Sequence, residues 1–311
     1  MDTFSEEYFR NDDAARAYLE ALRWPSGPVC AHCGSISHAY AIKPAGTYRC
    51  AEPECRKNFT VTMNTPMERS HIALHKWLLA FHLMVSSKKG ISAHQLHRTL
   101  KITYRSAWFM AHRVRECMRT GGLGPLGGEG KIVEADETYY GKTGEPRPSR
   151  QRKGRPYKAG SRGPRDKRPI VALVERGGKV RTFHVPVANK ENVMTIVNEN
   201  VLKESRLHTD ESRLYTGADQ HFAAHETVKH SAHEYARGDV HTNSAEGYFS
   251  IFKRGMTGVY QHCAEKHLHR YLAEYDFRYN TRSKLGIEDG ERAALAIKNS
   301  TGKRLTYRQS N

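Results

Sequence analysis

Apolar positions recur along the chain with two different spacings. Near the start, residues 12–23 (DDAARAYLEALR) place Ala15, Tyr18, Leu19 and Leu22 on one helical face, and Trp24-Pro25 closes the helix. Residues 74–85 (LHKWLLAFHLMV) are apolar nearly all round, as a buried helix requires. Ser92-x-x-Gln95 ahead of Leu96 and Leu100 reads as a capping box, and a turn follows at Lys101-Ile102. Thr103 then caps a helix whose inner face is Ala107, Met110, Ala111, Val114 and Met118, with Arg105, Arg113, Arg115 and Arg119 outside. A short helix, a tight turn and a basic second helix describe a helix-turn-helix.

Beyond residue 130 the spacing changes. KIVEADETYYG (131–141) reads as a strand with Asp136 near its carboxyl end, and PIVALVER, Gly177-Gly178 and KVRTFHVPV read as a hairpin. Residues 189–202 put Val193, Ile196, Val197 and Val201 on one helical face, and SRLHTD is a short strand ending at Asp210. A short helix over 218–225 and a strand over VKHSAHEY precede HTNSAEGYFSIFKRG (241–255). In that last stretch Ala245, Phe249, Phe252 and Met256 form an apolar stripe beside a polar one of Glu246, Ser250, Lys253 and Thr257. CAEKHLHRYLAEYDFRYNTR supplies a final helix, so the order is that of an α/β domain, a mixed sheet flanked by helices.

Charge and cysteine placement divide this plan into parts. The 311 residues carry a net charge of +17, which points to a polyanionic partner, a nucleic acid. A membrane is excluded as partner, because no apolar run reaches the roughly 20 residues of a spanning helix and MDTFSEEYFRNDD lacks the regions of a signal peptide. Between Lys142 and Arg168, 11 basic residues face only Glu145 and Asp166, a charge of +9 in a segment too polar to fold alone. This basic arm, with Arg152, Lys153 and Arg155, is expected to order on DNA phosphate. Cys30-x2-Cys33 and Cys50-x4-Cys55, 16 residues apart and set among β-like segments, form the four-thiolate pattern of a zinc ribbon with one structural Zn²⁺. The expected organisation is therefore an N-terminal helix (1–28), a zinc ribbon (29–66), the helix-turn-helix (67–120), a Gly-rich linker (121–130), the α/β domain with its arm (131–285) and a C-terminal tail (286–311).

Three acids stand at comparable places: Asp136 and Asp210 on strands, Glu246 on the helix that follows. Gathered together and bare they would repel one another strongly, and divalent cations relieve that repulsion. Oxygen ligands favour Mg²⁺ or Mn²⁺, and two such ions suit in-line displacement at a phosphate.

VEADETYYG, LHTDESRLY, VKHS, HTNSAEGYFSIFKRGMTGVY and HLHRYLAEYDFRYNTR resemble the DDE transposases of bacterial and archaeal insertion sequences. The closest group is the insertion-sequence family numbered fifteen ninety-five, whose members begin with a zinc ribbon and a helix-turn-helix. The resemblance implies a ribonuclease-H-like catalytic core, recognition of terminal inverted repeats, and strand cleavage and joining by a homo-oligomer on double-stranded DNA, in the cytoplasm at the prokaryotic nucleoid. It implies Asp136, Asp210 and Glu246 as ligands of two Mg²⁺ or Mn²⁺ ions, and Lys253, beside Arg254, as a contact to DNA phosphate near the cut. Asn243 is the alternative third residue, since some branches use Asn there. Asn243 and Glu246 also have the spacing of an N-cap and its N3 partner, which explains both without chemistry. Glu246 is preferred because a third negative charge offsets the cations better and Lys253 lies on its stripe. The alternative function is a DNA-binding regulator that keeps the fold without catalysis.

Overall fold

The computed structural model describes residues 5–121, 124–142, 167–228 and 236–305. They divide into two compact units, Met1–Arg119 with Gly286–Asn311, and Thr120–Leu285.

In the first unit, α1 (Asp12–Arg23) is capped by Asn11, whose side chain accepts from the N–H groups of Asp13 and Ala14. Strands β1 (Ala39–Ile42), β2 (Thr47–Cys50) and β3 (Asn58–Thr60) form a small antiparallel sheet. So few residues cannot enclose an apolar core, and edge-on and stacked rings of Trp24, Tyr48 and Phe59 supply what packing there is. Helix α2 (Leu74–Ser86) buries Trp77, Leu78, Phe81 and Met84, as its all-round apolar sequence requires. Helices α3 (Ala93–Leu100) and α4 (Tyr104–Met118) are capped by Ser92 and Thr103, and Lys101, at φ 50°, ends α3 in the left-handed region. The turn between them is thus fixed by two hydroxyl caps and one left-handed residue.

The second unit is built on β4 (Ile132–Tyr140), β5 (Arg168–Glu175), β6 (Val180–His184), α5 (Lys190–Asn200), β7 (Arg206–Asp210), β8 (Ala224–Val228), α6 (Asn243–Gly255) and α7 (Leu268–Asn280). The sheet runs β6-β5-β4-β7-β8, with β5 antiparallel to its neighbours β4 and β6, and β7 and β8 parallel to β4. Three antiparallel strands continued by two parallel ones, with helices on both faces, are the ribonuclease-H-like arrangement. Alternation along β4 decides which side each residue serves. Val133 and Ala135 join Val171, Leu173 and Leu207 in the cluster under α5, while Ile170, Ala172 and Val174 of β5 pack with α6 and α7 on the other face. Phe252 of α6 is fully buried there, and its truncation to Ala would cost roughly 3–5 kcal/mol.

The structure differs from the sequence reading in several places. Asp136 is the fifth of nine residues in β4, because pairing with β5 keeps the strand extended to Tyr140. A parallel strand runs over Ala224–Val228, where the end of the short helix was expected, and that helix is confined to Ala218–Gln220; the strand expected over VKHSAHEY lies, beyond Val228, outside the described residues. The Gly-rich stretch is docked over its described part: Leu126 is buried, exchanges hydrogen bonds with Asn200 and Leu202, and a Cβ at Gly127 would lie 2.1 Å from Ser205 Oγ. The expected tail contains α8 (Asp289–Lys298), which buries Ala293, Ala296 and Ile297. Arg292 donates to Val85 O, and Gly302 N to Asn64 O at 2.8 Å, so the segment completes the first unit. Its apolar face is only ten residues long, too short to stand out against its polar flanks.

Candidate active site and metal centre

The four cysteines converge as their spacing requires. Their sulfurs all lie within 4.8 Å of one another, with Cys30 and Cys55 at 3.7 Å and Cys33 and Cys50 at 3.6 Å. Four soft donors closed around one point fit Zn²⁺ in a structural site. Burial pushes the Cys50 thiol up to about 12.

In the second unit Asp136 of β4, Asp210 of β7 and Glu246 of α6 share one electrostatic neighbourhood near the start of the sheet's parallel half. The β4–β7 ladder pairs Ile132 with Arg206 and Glu134 with His208, two residues before Asp136 on β4 and two before Asp210 on β7. Alternation turns Glu134 and Asp136 away from the α5 side, toward α6. Burial, then Glu137, Asp210 and Glu246, raise the Asp136 carboxyl from 3.8 to about 7. Those neighbours show that the acids of β4, β7 and α6 share one electrostatic neighbourhood. Among the described residues, however, the cysteines alone bring three or more such ligand atoms within 4.8 Å of one another. Each acid is also held locally: Asp136 Oδ1 accepts from Glu137 N at 2.8 Å and Asp210 Oδ1 from Ser212 N at 2.9 Å. A fourth acid, Glu137, raised by its own burial and by Asp210, accepts from the buried hydroxyl of Tyr215 at 2.8 Å. Its sequence neighbours gave no sign of that partner, 78 residues away.

The start of α6 is organised differently from the capping box expected of Asn243 and Glu246. The N-cap position is Thr242, with no side-chain cap, which makes Asn243 the first helical residue and Glu246 the fourth. The N–H groups of Ser244 and Ala245 donate instead to Oε2 of Glu134, at 2.7 and 3.1 Å. Glu134 is fully buried and its Oε1 also accepts from Ser244 Oγ and from Arg176 Nε and Nη2 at 3.0, 3.0 and 2.9 Å. The sequence reading passed over this residue as an acid next to Asp136. Period-2 alternation, which puts Glu134 and Asp136 on the same side of the strand, was the signal available.

The stripes on α6 fall as read: Ala245, Phe249, Phe252 and Met256 are buried, and Glu246, Ser250, Lys253 and Thr257 are exposed. Lys253 stands two turns from Glu246 on that exposed side, while Arg254 donates to Ser250 O and Oγ on its own helix. In the first unit Arg105 is exposed near the start of α4, but Arg113 donates to Pro66 O at 2.7 Å and Leu305 O at 3.1 Å, and Arg115 is buried. Those two were expected on the outer face; packing of α4 against α2, α3 and α8 leaves less of it outside than a two-helix motif would. Arg152, Lys153 and Arg155 of the basic arm lie outside the described residues, whereas the arm's last residue, Arg168, is buried at the start of β5.

With the sheet order, the acids and the cysteine quartet established, comparison with known proteins places the chain. Residues 125–280 match the family model of the ISXO2-like transposase domain, and residues 10–58 that of the transposase zinc-ribbon domain. The chain belongs to the ISXO2-like transposase family. It is 27% identical over 290 residues to an uncharacterised protein in transposable element ISH50 of Halobacterium salinarum, covering 90% of this chain and 95% of that one. An uncharacterised transposase-like protein of Haemophilus influenzae is 28% identical over 102 residues, 33% of this chain and 81% of its own. A crystal structure of a pre-cleavage Mos1 transpososome aligns at 12% identity over 73% of this chain and 79% of that one, with a TM-score of 0.28, too low to bear on the fold. The transposase match covers Asp136, Asp210, Glu246 and Lys253 together. Among the described residues no helix is long and apolar enough to cross a membrane.

Proposed function

We propose that this transposase binds the terminal inverted repeats of an insertion sequence and cuts and joins DNA strands, acting as a homo-oligomer in the prokaryotic cytoplasm at the nucleoid. The observation that carries the reading is the state of Asp136. Burial and the neighbouring acids Glu137, Asp210 and Glu246 hold its carboxyl well above the ordinary carboxylate range, and a cation beside it would favour its charged form. The donors at hand, Asp136, Asp210 and Glu246, are all oxygens, which fits Mg²⁺ or Mn²⁺. When bound, a pair of such ions supplies activation of the attacking oxygen and charge stabilisation of the departing one.

The chain's own residues do the rest. Glu246 is the third ligand in preference to Asn243, since it lies in Asp136's electrostatic neighbourhood. Lys253, exposed two turns further along α6, offers its ammonium to a phosphate flanking the cut. Arg105 and the exposed start of α4 face the repeat, with the basic arm adding phosphate contacts. Incubating labelled terminal-repeat DNA and Mg²⁺ with the native chain, Asp136→Asn and Asp210→Asn tests the reading. Cutting by the native chain alone is expected; equal cutting by native and variants, or none by the native chain, overturns it.

A further inference from the structure

Helix α6 carries Glu246 but provides no side-chain cap of its own. Its entry is held from the sheet, by a single buried carboxylate. Oε2 of Glu134 takes the N–H groups of Ser244 and Ala245, the second and third residues of α6, and Oε1 takes Ser244 Oγ. Oε1 is also the acceptor for the Arg176 guanidinium. Arg176 reaches onward, donating through Nη1 to Asp239 O at 2.8 Å and through Nη2 to His241 O at 3.2 Å. The first turn of α6 is therefore fastened to β4 by Glu134, and the segment leading into it by the Arg176 guanidinium that Glu134 holds. Glu134 stands two residues before Asp136 on the same side of β4, and Glu246 follows Ala245 directly. From one acid to the other the path is two strand residues, one carboxylate and one helical residue.

We infer that Glu134 is a positioning residue that sets Glu246 against Asp136 and Asp210, an inference resting on the function proposed above. An anion at a helix N-terminus also stabilises the helix by charge alone. A residue doing only that would alter melting and nothing else once the protein is folded. Glu134 differs because its hydrogen bonds fix both the axial position and the entry angle of the helix that bears an acid of the site. Glu134→Gln separates the two roles. Its one remaining oxygen can serve the two α6 N–H groups, which turns its NH₂ toward Arg176 and deprives the guanidinium of its acceptor.

The test uses the full chain, labelled terminal-repeat DNA and a Mg²⁺ titration, with DNA affinity and melting measured alongside. Glu134→Gln is expected to bind DNA with native affinity. It should cut about 10- to 100-fold more slowly, or require about 10- to 100-fold more Mg²⁺, at temperatures well below its melting point. Native rate and native Mg²⁺ requirement in that variant overturn the inference. Should Glu134→Gln not fold, Arg176→Lys keeps the charge but lacks the fork, and the same shift in Mg²⁺ requirement is expected of it; a native requirement overturns the inference equally. Asp136→Asn distinguishes the levels: a native chain that cuts, a silent Asp136→Asn and a native-like Glu134→Gln remove this inference alone. A native chain that does not cut removes the proposed function and the inference with it.

Discussion

Removing the charge of Asp136 should make the metal-free protein more stable at neutral pH, opposite to the usual effect of a substitution inside a folded domain. Burial, reinforced by Glu137, Asp210 and Glu246, holds this carboxyl at about 7 against its ordinary 3.8. The unfolded chain therefore loses the proton near pH 4 and the folded one near pH 7. Between those values the unfolded state binds fewer protons, so stability falls as pH rises from about 4 to about 7 and stays reduced above. Three pH units at about 1.36 kcal/mol each set a ceiling of about 4 kcal/mol. Because the side chain is only partly buried and solvent screens the cluster, about 1–3 kcal/mol is the working figure. Urea denaturation of the native chain and Asp136→Asn, followed by circular dichroism in Mg²⁺-free buffer that leaves zinc in place, measures it. The variant should exceed the native chain by that amount at pH 8 and converge with it near pH 4. Added Mg²⁺ should stabilise the native chain and not the variant. A variant less stable than the native chain at pH 8, or a difference independent of pH, refutes the placement of Asp136 in a cluster of acids.

Other substitutions separate roles that the sequence left entangled. Asn243→Ala should change stability by less than about 0.5 kcal/mol, since its side chain caps nothing, and should leave cutting intact, whereas Glu246→Ala should abolish cutting in protein that melts normally. Cys50→Ser should lower the zinc content from one ion per chain, read by a colorimetric chelator after denaturation, and unfold the ribbon. Arg105→Ala should weaken DNA binding, and Arg113→Ala should lower the melting temperature by unfastening Pro66 and Leu305. Deleting residues 145–167 should make the salt dependence of DNA binding shallower, by about 0.9 in slope for each phosphate that the arm neutralises.

Much of the fold was legible because the pattern was strong where packing is strong. The all-round apolar run of α2, the Val171–Val174 run of β5 and the two stripes of α6 each admit one burial, and the structure buries them so. The hydroxyl caps at Ser92 and Thr103 were legible too, being local. What escaped depends on partners distant in sequence. Glu134 reads as one acid among several in VEADE until a helix 110 residues away presents its N–H groups. Arg113 reads as outward until the chain returns at Leu305. A glycine-rich stretch reads as a joint until Ser205 closes on Gly127. The acids Asp136, Asp210 and Glu246 were singled out by order and resemblance; adjacency of β4 and β7 in the sheet brings the first two into one electrostatic neighbourhood.

Replacing one non-bridging oxygen at the cut phosphate with sulfur tests most directly whether ions held by these carboxylates act on DNA. Sulfur binds Mg²⁺ poorly and Mn²⁺ better. With the native chain and terminal-repeat DNA carrying that single substitution, cutting should fall sharply in Mg²⁺ and recover in Mn²⁺, with no recovery in Asp136→Asn. Equal rates in the two metals, or recovery in the variant, would contradict a two-metal site at Asp136, Asp210 and Glu246.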